Sequence, residues 1–319
     1  MSPDRIQPIA APAEPPSVVQ HGAPTPSDSS TRKGILLILL VSTIFALQDG
    51  LSRHLGAVIP PVMVVMLRYW FLVVFVTLLA ARAPGGLRAT MRSRRPALQI
   101  ARGLLISLEV VVILEAFVRL GLVETHAMFA TNPLLTVLLS VLLLGEKVGW
   151  RRSLAVAVGF VGVIIILRPG GGVFSPAALL GLLSAFMFAL YTVLTRMAAR
   201  YDPPMTSFFW MGATGFVVMT VLGLPQWQPL PVGEWGWMAL LCLSGAIAHG
   251  LMIRAYTYAE ASVLQPFTYT QLLWVIAVGM VVFDETVDPA VWLGGAIIVG
   301  AGLFTLLRTR KREKEKLGG

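Results

Sequence analysis

The chain has 319 residues, 56% hydrophobic and 13% charged, with mean hydropathy +0.78 and a formal net charge of +9. A soluble domain of this size cannot hide that much apolar surface, and the single cysteine, Cys242, excludes an intrachain disulfide or a thiolate metal cluster. The positive residues gather at the chain ends and in a few loops, a distribution that suits anionic lipid headgroups and argues against nucleic acid as a partner.

In chain order, residues 1–33 come first. They carry Pro3, Pro8, Pro12, Pro15, Pro16, Pro24 and Pro26 among Ser, Thr and acidic residues. Such a segment buries too little apolar area to offset its ordering entropy, and it lacks the apolar stretch of a signal peptide, so it is expected to be a disordered tail. A hydrocarbon core about 30 Å thick needs about 20 apolar residues as a helix. By that measure ten spans are predicted: 34–52, 61–81, 97–118, 123–144, 153–168, 177–198, 205–223, 236–258, 261–283 and 290–307. Short loops with Pro and Gly punctuation join them, as at Pro60-Pro61, Pro84-Gly85-Gly86, Pro169-Gly170 and Pro203-Pro204. Residues 309–319 form a basic tail.

Lysine and arginine near the span ends set the orientation. Arg82, Arg88, Arg92, Arg94 and Arg95 follow the second span, Lys147, Arg151 and Arg152 follow the fourth, and the tail from Arg308 is basic. With ten spans, all of these fall on one side, which is then the cytoplasm and holds both termini. The opposite loops at 224–235 and 284–289 contain neither residue type.

The chain also repeats itself. Phe45-Ala46-Leu47, Leu51, Arg53 and Pro60-Pro61 recur 143 positions later as Phe188-Ala189-Leu190, Leu194, Arg196 and Pro203-Pro204. A fixed offset over so many positions marks a duplicated unit. Five spans per unit is an odd number, so the second copy enters the membrane from the opposite face. The expected fold is therefore all-α and integral to the membrane, with ten transmembrane helices as two inverted five-helix repeats, 34–168 and 177–308. Such halves, rocking about a pseudo-two-fold axis, are the physical basis of alternating access.

The first repeat carries Glu124-Thr125-His126-Ala127, Asn132-Pro133, Gly145-Glu146-Lys147 and Arg168-Pro169; the second carries Arg254 to Glu260, Tyr269-Thr270-Gln271-Leu272-Leu273-Trp274 and Phe283-Asp284-Glu285. In their order, spacing and duplication these motifs resemble the drug/metabolite transporter superfamily, in particular its EamA-type members with ten helices and two EamA repeats. The resemblance spans residues 34 to 308. It implies a multi-pass transporter of the bacterial inner (plasma) membrane that moves small organic metabolites such as amino acids, vitamins or nucleoside-like compounds, often by proton coupling or exchange. Gln48-Asp49-Gly50-Leu51-Ser52-Arg53-His54-Leu55 looks like the first helix of members that take up vitamins or S-adenosylmethionine.

Polar residues within spans are the candidates for function, because an ion at mid-bilayer costs roughly 2.5–3.5 kcal/mol and must face a cavity or a partner. Asp49 and Arg68 lie at similar depth on the first two spans, which makes them a candidate pair, either a substrate clamp or a structural ion pair. Glu109, near the middle of the third span, is the first candidate for proton coupling, because desolvation disfavours a carboxylate's charged form. Its alternative is a neutralising contact with Arg68 or Arg102. His249 on the eighth span is the second proton-coupling candidate; a packing role is the plainer reading, and His126 near a helix end says less. Asn132-Pro133 breaks the fourth span and frees a carbonyl, for a substrate path or merely a kink. Gln48, Tyr191, Tyr269, Gln271 and Trp274 complete the substrate-binding set, offering aromatic faces and hydrogen bonds to a flat or amphipathic metabolite. Ala155/Gly159 and Ala296/Gly300 would let the fifth and tenth spans approach closely. Glu146 and Glu285 read as capping or loop contacts.

No nucleophile–base pair, metal-ligand spacing or phosphate-cradling loop supports an enzyme, and no cofactor is implied. A channel would need a polar stripe or charge ring. The alternative to a metabolite carrier is a broad-specificity hydrophobic exporter of the multidrug type or a lipid flippase, which Glu109 keeps open. The expected partners are a small-molecule substrate and the lipid bilayer, with a homodimer as one allowed assembly.

Overall fold

The computed structural model describes residues 28–145, 150–167, 176–258, 264, 267–268 and 270–317. Most of the N-terminal tail lies outside these residues, as do Glu146, Lys147, Arg168, Glu260, Pro266 and Tyr269.

The described chain is helical. Helix α1 (Asp28–Val58) is followed by α2 (Pro61–Arg82), the short α3 (Gly86–Met91), α4 (Pro96–Leu120), α5 (Leu122–Phe129), α6 (Asn132–Leu144), α7 (Trp150–Leu167), α8 (Pro176–Ala198), α9 (Pro204–Gly223), α10 (Trp235–Tyr258), α11 (Thr270–Val282) and α12 (Pro289–Leu317). Proline opens α2, α4 and α9, where its missing N–H costs nothing and its fixed φ suits the first turn. At 22 residues, α2 is about 33 Å long, enough to cross the hydrocarbon core. Five helices are long and apolar enough to cross a membrane by length and composition, and α7, α11 and α12 contain shorter apolar stretches. Taking α5 and α6 as one interrupted span gives ten crossings among the described residues. Apolar side chains such as Leu36, Leu142, Val221 and Val281 stand exposed around the outside, as they must in a lipid solvent.

Both ends of α1 differ from the sequence reading, and α12 runs on to Leu317, past the expected end at 307. Helix α1 starts at Asp28, where Ser30 Oγ donates to Tyr258 O at the end of α10 (2.9 Å), and it runs on to Val58, past the expected end at 52. The extension keeps Arg53 and His54 on the helix, where Glu285 meets the partly buried Arg53 and Glu234 meets the more exposed His54.

The packing repeats with the duplication. The offset relates α1 to α8, and chain order relates α2 to α9, α4 to α10, α6 to α11 and α7 to α12. Helix α1 packs on α10 and α11; correspondingly, α8 packs on α4 and α6. The pairs α2–α9 and α7–α12 join each helix to its own counterpart. That exchange is a two-fold relation. It places the Pro60-Pro61 turn and the Pro203-Pro204 turn at opposite ends, because α2 leads away from Pro60 to Ser93 and Arg94, which bond Asp202 beside Pro203.

The close approach expected of the fifth and tenth spans occurs, but at other glycines. A Cβ on Gly162 would stand 2.7 Å from Gly294 O, so α7 and α12 meet backbone to backbone there. Gly159 instead receives Leu134, and Gly300 faces open space.

The largest apolar cluster lies toward the Pro60 end. Leu55, Ile59, Met63, Met66, Leu114, Phe117, Leu122, Met219, Met238 and Val275 join α1, α2, α4, α5, α9, α10 and α11 there. Toward the Pro203 end the described core divides into smaller clusters: Ile38, Ala255 and Leu264; Val76, Ala80 and Phe209; Leu139, Ala189 and Val193.

Candidate functional site

Between the two halves lies a cavity of about 400 Å³, within the range of roughly 300–1,000 Å³ usual for small-molecule sites. It sits beneath the apolar cluster of the Pro60 end; Leu114, Phe117 and Leu241 belong to both. His249 and Met252 on α10 and Met211 on α9 line it from farther toward the other end. A second hollow of about 420 Å³ lies against α7 and α12, lined by apolar residues such as Leu154, Val158 and Phe304. It offers a ligand almost nothing to hydrogen-bond, so the central cavity is the site.

One wall of the cavity is polar and stands on α1. Successive helical positions present Gln48, Asp49 and Ser52 to the interior. Asp49 Oδ2 accepts a hydrogen bond from Gln271 Nε2 (3.0 Å) and lies 3.1 Å from His126 Nε2. Arg68 Nη1 donates to Ser52 Oγ at 3.4 Å. The expected Asp49–Arg68 pairing is thus replaced by a triad from three distant helices, α1, α5 and α11. Similar depth on neighbouring spans was not enough, because rotation of each helix about its axis decides what a side chain meets.

A second part of the lining is aromatic. His126 stacks on Phe117 (centroids 5.3 Å, interplanar 14°) and meets Phe129 edge-on; Phe129 meets Phe188, which leans on Tyr191. Helix α5 ends at Phe129 and α6 begins at Asn132, so the break expected at Asn132-Pro133 is present. The short α5 can therefore tilt independently of α6 and carry His126 and Phe129 inward. Asn132 itself accepts from Thr136 Oγ1 (3.0 Å) on its own helix and does not line the cavity.

Glu109 is 3% exposed and lines the cavity. Ser184 Oγ donates to its Oε1 at 2.6 Å. Among the described residues no guanidinium lies within ion-pair distance of it, although Arg68 lines the same cavity and its charge acts on the carboxyl group. Arg102 is instead buried among neutral acceptors, Gln99 Oε1 and Ser207 O, with its guanidinium over the Tyr191 ring (5.4 Å). His249 Nδ1 pairs with Gly245 O (2.8 Å), and its ring lies between Phe45 and Phe208.

The structure brings Gln48, Asp49, Arg68, Glu109, His249 and Gln271 together at one cavity. Tyr191 backs the aromatic wall. Trp274 is 47% exposed on the outer surface of α11, and Tyr269 lies outside the described residues. Sequence reasoning undervalued His126 and missed Ser184 and the phenylalanine wall. The interruption of the fourth span was the signal that its first half could turn toward the interior.

Beyond the cavity, the Pro60 end is tied by Glu285. Its two carboxylate oxygens accept from Leu122 N (2.7 Å) and Val123 N (3.0 Å), the first turn of α5. Arg53 pairs with the same carboxylate and lies 4.1 Å from the Phe283 ring centroid. Asp284 adopts a left-handed φ of 51° that brings Glu285 back toward α5. Gly121, at φ 100°, admits the approach, since a Cβ there would stand 2.7 Å from Glu285 Oε1. The capping role expected of Glu285 is found, with the negative charge at a helix N-terminus; the pairing with Arg53 was not foreseen.

Known proteins resemble this chain in sequence and in fold. The profile of the EamA-like transporter family matches residues 32–168 and 175–307. A protein of Vibrio cholerae named riboflavin transporter is 28% identical over 290 residues, covering 89% of this chain and 96% of the relative. A Rickettsia bellii protein named S-adenosylmethionine uptake transporter is 25% identical over 284 residues, covering 89% and 96%. A riboflavin transporter of Rhizobium johnstonii is 30% identical over 230 residues, covering 71% and 76%. A solved crystal structure superposes with a TM-score of 0.57 at 22% identity, over 89% of this chain and 99% of the other, which is a likeness of fold.

Proposed function

Because the chain belongs to the EamA-like transporter family, with both repeats matched, and is a multi-pass membrane transporter of small metabolites rather than an enzyme, we propose that it is a secondary carrier of the inner membrane working by alternating access through the central cavity. The observation that carries this reading is the cavity itself. A hollow of about 400 Å³ at the junction of two inverted halves gathers polar side chains from both halves within otherwise apolar helices. Buried polar groups at membrane depth are expensive, and a substrate path is the usual reason for their concentration.

The arginine-rich 82–95 segment shares the Pro203 end with Arg200 and Asp202, so this end faces the cytoplasm and both termini lie there. The cavity is sealed toward the Pro60 end by the largest apolar cluster and by Glu285, while the apolar core of the Pro203 end is divided. In this reading the structure is the inward-facing state. Release of Arg53 and the α5 N-terminus from Glu285 would free α5, α1 and α11 to open the other side.

Glu109 and His249 are the groups positioned to couple transport to protons. Both line the cavity, and each has a hydrogen-bonding partner that leaves further acceptor or donor capacity facing the interior. The relatives' names make riboflavin and S-adenosylmethionine the first compounds to try. The test is counterflow in proteoliposomes loaded with each compound. A carrier shows saturable trans-stimulation. Glu109→Gln and Asp49→Asn are expected to lower it at least tenfold with insertion intact. Flux without saturation or trans-stimulation would mean a channel, and unchanged flux in both variants would remove those residues from the mechanism.

A further inference from the structure

Two polar atoms in the cavity are buried and lack a hydrogen-bond partner among the described residues: Gln48 Oε1 and His126 Nε2. Gln48 is 6% exposed and His126 8%. Leaving a buried polar atom unpaired is costly, and native structures keep few of them. Both side chains line the same hollow. His126 Nε2 lies 3.1 Å from Asp49 Oδ2, an ion-pair contact when the imidazole is protonated, so of the two it is Gln48 Oε1 that has no polar partner among the described residues.

Gln48 occupies a place made for it. Gly245 on α10 faces it, and a Cβ at that glycine would stand 3.1 Å from Gln48 Oε1. The missing side chain leaves room for the amide on one side, while the other side opens to the cavity. An amide presents a donor and an acceptor side by side in one plane, whichever way its oxygen and nitrogen are assigned. Its natural complement is a ligand edge with an adjacent acceptor and donor, as when glutamine reads the edge of adenine. Lining the same hollow, the stacked His126–Phe117 pair and the rings of Phe129 and Phe188 provide aromatic surface. Aromatic faces of this kind favour offset stacking with a planar ring.

Resting on the carrier reading above, we propose that Gln48 and the His126–Phe117 stack form the recognition element for a planar heterocycle bearing a hydrogen-bond donor and acceptor next to each other on one edge. Gln48 meets that edge in a bidentate contact, and the aromatic wall covers the ring face. Asp49 lies one residue on and accepts from any amine or sulfonium-bearing substituent's N–H groups. Two ligands share this chemistry: the imide edge of riboflavin and the aminopyrimidine edge of S-adenosylmethionine.

Binding to the purified full chain in nanodiscs separates the cases. The probes are riboflavin, its imide N-methyl derivative, S-adenosylmethionine and its derivative dimethylated on the exocyclic amine. Wild type is expected to bind one unmodified heterocycle at least tenfold more tightly than its methylated partner, and which one identifies the source. Gln48→Leu should weaken that ligand about tenfold and reduce the preference over the methylated form to within twofold. Gly245→Ala, which keeps the amide but crowds it, should shift the preference in the same direction; it serves alone if Gln48→Leu does not fold. Undiminished affinity and preference in both variants would overturn the assignment. So would a wild type that binds neither heterocycle. In that case trans-stimulated counterflow of some other metabolite would leave the carrier reading standing while the recognition proposal falls, whereas no counterflow across a metabolite pool would bring down the carrier reading itself.

Discussion

The two ends of the bundle are closed by different physics. At the Pro60 end the largest apolar cluster draws on seven helices from both halves, with a second cluster around Val123, Ile166 and Val291 beside it, and one carboxylate, Glu285, holds Arg53 and two backbone N–H groups at once. At the Pro203 end the described apolar core is divided, and the tie between the halves is polar. Asp202, 5% exposed, accepts from Ser93 Oγ (2.5 Å), Arg94 N (2.8 Å) and Gln99 Nε2 (2.8 Å). The difference lies in what each carboxylate joins. Glu285 connects α1 and the α11–α12 turn to the start of α5, across the cavity. Asp202 connects the α8–α9 turn to the start of α4, on one side of it. The first contact can act as a gate; the second holds a body together.

Glu285→Gln breaks this comparison most strongly. The half-buried Arg53 loses its counter-charge, and the α5 N-terminus loses its anion as well. A cysteine at Leu55 in a Cys242→Ala background should be shielded from a membrane-impermeant maleimide applied from the Pro60 side, and labelled at least tenfold faster once Glu285→Gln is added. Unchanged labelling would show that the apolar cluster alone seals that end. Gly121→Ala comes next. Its backbone conformation strains any other residue, at a cost of about 1–3 kcal/mol, and its Cβ would displace the Glu285 carboxylate. Partial labelling of the same cysteine and a lowered Tm are expected together.

Asp202→Asn should act on stability and not on access. Burial pushes the Asp202 carboxyl up, but the hydrogen bonds from Gln99, Ser93 and the Arg94 N–H, with the Arg94 charge, together hold it below its ordinary value. A depressed folded-state value means that the unfolded chain binds the proton more readily. The stabilisation is therefore complete above the ordinary value of 3.8 and is lost as pH falls through the lower folded-state value. Thermal melts should show this acid-side loss in wild type and not in Asp202→Asn, with Leu55 cysteine labelling unaltered in the variant at neutral pH. The smallest effect belongs to Trp274→Leu. That side chain faces outward, so counterflow should stay within twofold of wild type; a larger loss would bring the Trp274 face of α11 into the substrate path as well.

The spans were legible because apolar length and proline punctuation are local properties. Their inversion was legible because the 143-residue offset and the arginine bias are each visible in one dimension. Six of the ten candidate residues line one cavity, since a polar side chain in an apolar helix has few other places to go. What they bond to was not legible. Arg53 read as a member of the repeat, and its partner lies 232 positions away. His126 read as a helix-end residue, yet the break at Ala130–Thr131 and the packing of α5 on α8 and α11 set it against Asp49. Glu109 had two arginines within reach by depth and found a serine on α8 instead.

By itself the sequence determined the membrane environment, the number of crossings and the antiparallel duplication, because hydrophobic length and repetition need no knowledge of neighbours. The tertiary structure decided which polar groups meet, which remain unpaired and which end of the bundle is sealed. Those outcomes depend on how each helix is rotated about its axis and on where α5 breaks from α6, and both follow from packing among segments far apart in the chain.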